Sequence, residues 1–388
     1  MSTIRVNNLQ NTSTTDGGIS INASGHVTVD GVAMPSSGPL SNRNLVINGA
    51  MQVAQRGTSS TATGVRTVDR FESSWGGGAV TMTQESLTSG SPYNEGFRNY
   101  VRLTNTTAAT SGTNYRELVY KIEGQDLASS GWNYTSSSSY VTISFWVRSS
   151  VSQDYYFYLE SRDGSGQIYT FPFTLSADIW TKVTKAIPGG ASIQIDNDAD
   201  LGANFNIVPF YGTTYTDSGN TDETWRARDA SSKYMLDMTN TWAGTTDATF
   251  DLTGVQVEVG SVATPFEHRS FGDELARCQR YFARSYSYGT ATGTASRNGA
   301  VLSTAYTQIA YASAGTAFFP VEMRAVPSVT IYSTSTGTAG QVAADANDGV
   351  GSAAFMSTKA AFIRRTNNNS GVGANVYIGA HYVAEAEL

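Results

Sequence analysis

The chain has 388 residues, 25 basic against 32 acidic side chains and a formal net charge of −7, and only 15% of it is charged. That composition excludes the basic face a nucleic-acid binder needs to offset phosphates, and a single cysteine excludes an intrachain disulfide framework. With 38 glycines, 21 tyrosines, only 9 prolines and abundant Ser and Thr, and with almost no helical periodicity, the chain reads as all-β and long enough for two or three domains.

The first ten residues, MSTIRVNNLQ, hold no apolar run. No signal peptide is expected, so the protein should be made in a cytoplasm and released by assembly or lysis. No apolar stretch anywhere reaches the length of a membrane span. Residues 1–41 are small and polar. Two short alternating runs, Ile19-Ser20-Ile21 and His26 to Val29, predict a hairpin or extended arm. A segment that cannot bury its own apolar side needs partners. Residues 34–41 (MPSSGPLS) read as a linker.

From residue 42 to 269 strands are predicted at 80–84, 100–104, 116–122, 140–148, 155–160, 169–175, 180–187, 205–211 and 250–259. Turns such as Asp163-Gly164 and Pro188-Gly189-Gly190 separate them. Many short strands with long polar connections predict a two-sheet sandwich of the jelly-roll kind. In the last strand Leu252, Val255, Val257 and Val259 are apolar, and Gln256 and Glu258 stand between them. A short helix should follow, capped by Ser270 with Asp273 in its first turn, and with Phe271, Leu275, Cys278 and Phe282 on its apolar side. It is the only helix the periodicity supports. Cys278 on that side reads as a small buried hydrophobe, with a catalytic thiol as the alternative. Beyond it, strands at 304–311, 317–321, 328–334, 359–364 and 374–384 predict a smaller sandwich, and the terminal VAEAEL reads as a final strand.

Three histidines in three separate segments offer no ligand spacing for zinc and no Ser-His-Asp arrangement. No phosphate-cradling glycine loop is present. The run Asp196, Asp198, Asp200, with carboxylates at every second position, is the calcium candidate; a solvated turn is the alternative. No other cofactor is expected. In YVTISFWVR (140–148), Val141, Ile143, Phe145 and Val147 fall on the core side of a strand. Thr142, Ser144, Trp146 and Arg148 fall on the other. An aromatic plate among hydroxyls and a guanidinium suits stacking on a sugar ring. Tyr156, Tyr158 and Glu160 share one side of the next strand in the same way. The alternative is that this side packs under a loop, making Trp146 part of a second small core. Trp75, Trp132, Trp225 and Trp242 fall in loop-like surroundings, where exposed aromatics make receptor contacts. An enzyme reading needs two carboxylates flanking a sugar bond, with Glu160, Asp196 and Glu258 as acids to hand. No repeating period of a parallel β-helix is present. The expectation is therefore no enzyme.

Three stretches carry a resemblance. LTGVQVEVG…ATPFEHRSFGDELARCQRYF, and NRNLVINGAMQVAQRG followed by VDRF, resemble segments of structural proteins of tailed bacteriophages, especially tail fibres and receptor-binding proteins. FFPVEMRAVPSVTIYS resembles the tip domains of the same proteins. The resemblance implies an N-terminal virion-attachment arm (1–41), a jelly-roll domain like carbohydrate-binding modules (42–269), a connecting helix (270–283) and a C-terminal β-tip domain (284–388). It implies a virion protein assembled in the host cytoplasm, trimeric, joined to tail or portal-proximal proteins through the arm and attached to host surface polysaccharide. Neither nucleic acid nor membrane insertion is expected. The alternatives are an architectural virion protein (head fibre, collar fibre or tail adaptor) that binds no glycan, and a glycan-cleaving tailspike. Sugar-binding jelly rolls often carry a structural calcium, which adds to the reading of the Asp196 run.

Overall fold

The structure is a computed structural model that describes residues 8–10, 18–23, 25–34, 41–228, 233–305, 312–366, 372 and 375–388. Residues 35–40 of the linker expected over 34–41, and residues 306–311 of the strand expected over 304–311, lie outside the described residues.

The alternating runs at the N-terminus form a four-stranded antiparallel sheet, β1 (Asn8–Gln10), β2 (Gly18–Ile21), β3 (Val27–Val29) and β4 (Val32–Ala33). Register places Leu9 opposite Ile19, Ile19 opposite Val29, and Val29 opposite Val32. Directly opposite residues share a face, so one side of this sheet is an apolar row, and all four side chains are exposed.

The jelly roll follows. Its strands are β5 (Ser59–Ser60), β6 (Phe71–Gly76), β7 (Ala79–Ser86), β8 (Asn99–Thr107), β9 (Tyr115–Glu123), β10 (Tyr140–Ser149), β11 (Gln153–Ser161), β12 (Gln167–Leu175), β13 (Thr181–Pro188), β14 (Leu201–Tyr211), β15 (Arg226–Ala227) and β16 (Thr249–Val259). They form two antiparallel sheets, ordered β13-β10-β16-β8-β7-β5 and β15-β12-β11-β14-β9-β6. All nine strands predicted for this domain are present. Their alternation sends Phe145, Val147, Phe157, Phe205 and Phe250 between the sheets. The rings of Tyr120, Phe205, Phe157 and Phe171 stack in series at 5.1, 5.6 and 4.9 Å.

The helix expected after Ser270 is α4 (Phe271–Gln279), and the Ser270 hydroxyl accepts from the Asp273 amide. It is not alone. Three single-turn helices, α1 (Ser91–Asn94), α2 (Gly124–Ala128) and α3 (Thr241–Gly244), bridge strands. They are too short to show a 3.6-residue period. The apolar side of α4 also differs from expectation. Cys278 is buried, Leu275 is half-buried, Phe271 is exposed beside Tyr288, and Phe282 belongs to the next strand. Burial in apolar surroundings pushes the Cys278 thiol well up, which favours the inert reading.

The smaller sandwich contains β17 (Phe282–Arg284), β18 (Val301–Ala305), β19 (Ser313–Phe318), β20 (Ser328–Ser333), β21 (Gln341–Ala344), β22 (Asn347–Ala354), β23 (Ala360–Arg365) and β24 (Val376–Glu385). β24 pairs with β17, β18, β20 and β21. Among the described residues ten alanines supply much of its core, including Ala283, Ala317, Ala361 and Ala380. The last strand then carries the chain back onto the jelly roll. Arg56 binds Glu385 and Glu387 at 3.1 Å each, Arg70 binds Glu387, and Lys121 reaches the Leu388 carbonyl at 2.7 Å. Arg280 clamps the fully buried Glu123 through Nε and Nη2 at 2.9 and 2.8 Å, and Tyr281 donates to the same carboxylate.

Candidate functional site

The two sets of sugar-contact candidates lie on different sheets of the jelly roll. Trp146 and Arg148 are on β10, on the outer side of the first sheet. Tyr156, Tyr158 and Glu160 are on β11, on the outer side of the second. They do not form one site, and each outer side is covered by the protein's own loops.

On the first sheet Trp146 is only 8% exposed. It packs with Ala50, Leu87, Phe97 and Tyr100 beneath the segment around α1. Its indole N–H donates to Glu95 at 3.0 Å. This is the second small core weighed above. Arg148 donates to Asp251 at 2.6 and 2.9 Å, and Arg102 binds the same carboxylate from the other side at 2.7 and 2.9 Å. The Arg148 guanidinium also lies 4.7 Å from the Trp180 ring. Asp251 is 1% exposed, so both guanidinium groups serve to hold one buried carboxylate.

A bulge makes room for this cover. Opposite the two steps from Ser144 to Trp146, β16 takes three, from Gln256 to Thr253, and so carries one residue extra. Gly254 occupies the bulge at φ +64°, and a Cβ there would sit 2.7 Å from the Phe97 ring. The bulge also explains why Leu252 and Val255 both face the core although three positions separate them.

On the second sheet Tyr156 and Tyr158 are 6% and 3% exposed. They pack with Val208, Tyr211 and Met235, under Tyr215 and Tyr234 of the long connection after β14. Tyr211 donates to Glu117, and the Tyr158 hydroxyl lies 3.1 Å from the Tyr211 hydroxyl and 3.5 Å from the same Glu117 oxygen. Burial raises the Glu117 carboxyl, and the bonds from Tyr211 and Asn206 offset this only in part. The same burial drives both phenols well up. Glu160 is 2% exposed and held by Arg162 and Arg228 at 3.1 and 3.2 Å. Glu258 is equally buried on the first sheet and accepts from Thr264. Glu160 and Glu258 thus sit on opposite sheets and flank no common cleft.

Asp196, Asp198 and Asp200 lie in an exposed loop. Their backbone is well used: the Asp196 amide donates to Asp163, and the Asp198 and Asp200 carbonyls accept from Gln125 and Gly124. Arg324 reaches the Asp200 carboxylate at 3.3 Å. Among the described residues no three His, Cys, Asp or Glu side chains are placed together to hold a metal ion. The tryptophans expected on loops are also drawn in. Trp132 and Trp242 are buried, and Trp75 and Trp225 are half-buried.

Beside the Trp146 cover lies an open groove of about 600 Å³. Phe266 and His268 form its aromatic wall, with ring centroids 4.9 Å apart, and both rings pack on Phe97. Glu95 and Lys182, 3.0 Å apart, present a carboxylate and an ammonium, and the exposed Thr184 adds a hydroxyl. The β3–β4 turn at Gly31 and Val32 forms the far lip, and His26 bonds Ser261 at 3.2 Å near by. Apolar ring faces beside hydrogen-bonding groups of both kinds are what a pyranose demands. Sequence reasoning found Trp146 but missed this groove. Lys182 and Thr184 were legible as the outward alternates of β13, because Lys182 stands opposite Trp146 in register. Glu95, Phe266 and His268 come from loops and left no periodic signal.

No protein family and no curated protein matches the chain. By structure it is similar to the N-terminal cellulose-binding domain of β-1,4-glucanase C from Cellulomonas fimi, at 10% identity over 54% of this chain and 99% of that one, with a TM-score of 0.26. It is similar to a family 16 carbohydrate-binding module, at 8% identity over 55% and 99%, TM-score 0.21. A cyclase from Fischerella sp. TAU matches at 7% identity over 58% and 98%, TM-score 0.31. The class of protein the fold itself defines is an all-β one, a jelly-roll sandwich joined to a second, smaller sandwich.

Proposed function

We propose that this is a non-catalytic bacteriophage virion protein of the tail-fibre or receptor-binding kind, attached to host surface glycan through its jelly roll. The observation that carries the glycan reading is the open groove, where Phe266 and His268 stand beside Glu95, Lys182 and Thr184. The virion reading rests on the resemblance of the stretches at 42–71 and 252–282. The N-terminal sheet supports an anchoring and trimerising role, because Leu9, Ile19, Val29 and Val32 expose one continuous apolar row. A second reading, an architectural virion protein without glycan binding, is favoured by one observation: Trp146, Tyr156 and Tyr158 are all covered by the protein's own loops.

Binding of purified protein to host envelope polysaccharide separates the two. The glycan reading expects saturable binding that Phe266→Ala weakens about thirtyfold, the equivalent of about 2 kcal/mol at a contact residue. Lys182→Ala should weaken it as well. Absence of binding to any envelope fraction would leave the architectural reading. Sedimentation giving a stable monomer near 41.4 kDa at micromolar concentration would remove the trimer.

A further inference from the structure

Two cavities meet at the junction of the sandwiches, away from the groove just described. One, of about 570 Å³, lies between α4 and the segment at Val321 and Glu322; the other, of about 230 Å³, lies between residues 42–47 and α2. They share two lining residues, Asn42 and Arg277. Four arginines line this trough, and three are committed to carboxylates. Arg43 stands 3.5 Å from Glu258, Arg269 lies 3.0 Å from Glu267, and Arg280 lies 2.8 Å from Glu123. Arg277 differs. It donates to the Asn42 side chain at 2.9 Å, and no carboxylate of a described residue lies within ion-pair distance. Its place in the last turn of α4 suits the helix dipole, but that does not account for open space on both sides of it.

Three acids also line the trough. Glu322 accepts from Thr358 at 2.9 Å and faces Lys359. Asp273 accepts from the Ser270 hydroxyl at 2.7 Å in the first turn of α4. Burial and Glu123 push the Asp126 carboxyl up, and Arg280, Arg70 and Arg277 offset this in part. Arg277, with no carboxylate of a described residue within ion-pair distance, presents a guanidinium fork that suits a carboxylate or phosphate in bidentate fashion. On the α2 side Ser129 and Ser130 donate their hydroxyl protons to the Gln125 and Leu127 carbonyls at 2.6 and 2.7 Å, so their oxygens offer acceptor sites, and the Asn42 amide offers donors, to a hydroxylated body.

We propose that this trough is a second binding site, for an anionic saccharide whose carboxylate or phosphate seats on Arg277. The test is calorimetric titration of the full chain with trigalacturonate, with inorganic phosphate, and with maltotriose as the neutral control. Trigalacturonate should bind at one saturable site, more weakly as ionic strength rises. Arg277→Ala should lose about tenfold or more, because a charge-assisted contact is removed, while Arg277→Lys keeps part of it. Competition by phosphate would assign the site to phosphorylated sugars as well as uronates; no competition would confine it to carboxylates. Phe266→Ala serves as the internal separator: it should leave trigalacturonate binding intact even if it abolishes neutral-glycan binding in the other groove. Affinity unchanged in Arg277→Ala, or no saturable heat from either anionic probe at millimolar concentration, would overturn the proposal.

Discussion

Replacing Trp146 by alanine tests the central structural reassignment. The side chain is 8% exposed, packed against Phe97 and Tyr100, and its N–H is bonded to Glu95. Truncating a buried aromatic costs about 3–5 kcal/mol through lost transfer energy and the cavity left behind. Losing the indole bond adds little, since Glu95 keeps Lys182 as a partner at 3.0 Å. For a domain of this size each kcal/mol lowers the melting temperature by about 2–4 °C, so the expected fall is roughly 6–20 °C. Phe145 is the matched control. It points into the main core beside Phe157 and Phe173, with centroids at 6.2 and 5.5 Å. Phe145→Ala should fall in the same range, whereas Trp146→Phe keeps one buried ring and should cost less than Trp146→Ala. Calorimetric melting of the three variants beside the parent decides it. A Trp146→Ala protein that melts with the parent yet loses glycan binding would refute the burial argument and restore Trp146 as an open sugar platform.

Gly254→Ala should lose about 1–3 kcal/mol, because alanine at φ +64° is strained and its methyl would press on the Phe97 ring; an unchanged denaturation midpoint would show that the bulge relaxes freely. Burial pushes the Glu123 carboxyl up, but hydrogen bonds from Arg280 and Tyr281 outweigh it and leave the group below its ordinary range. A depressed folded value gives stability that is present above the unfolded value and drains as pH falls, so stability should decline between about pH 5 and 3. Glu123→Gln should flatten that decline in a pH series of urea midpoints. Burial lowers His381, which bonds Ser285 through Nδ1 at 2.8 Å and stacks on Tyr286. The smaller sandwich should accordingly lose stability as pH drops below the ordinary histidine range, and a pH-independent melt of that domain would contradict it. Leu275→Ala should cost less than the 2–5 kcal/mol of a fully buried leucine, since the side chain is half-exposed; thermal melting checks this too.

The all-β class, the nine main strands of the jelly roll and the capped helix at Ser270 were legible in the residues alone. Each follows from local chemistry, namely a period of two along a strand and a hydroxyl placed before a helical turn. The sequence also assigned Trp146 and Tyr158 correctly to the outer sides of their strands. Tertiary structure alone decided whether those sides were open. α1 and the residues from 261 to 268 fold over Trp146, and the connection after β14 folds over Tyr158, by contacts between residues far apart in the chain. No spacing records such contacts. The same holds for Glu123, which lies at the end of a strand with nothing in its neighbourhood to show that Arg280, 157 residues later, would hold it. Periodicity reports which side of an element a residue takes. What covers that side is set by loops whose order comes from glycine geometry, buried hydrogen bonds and the long-range closure of the two sandwiches.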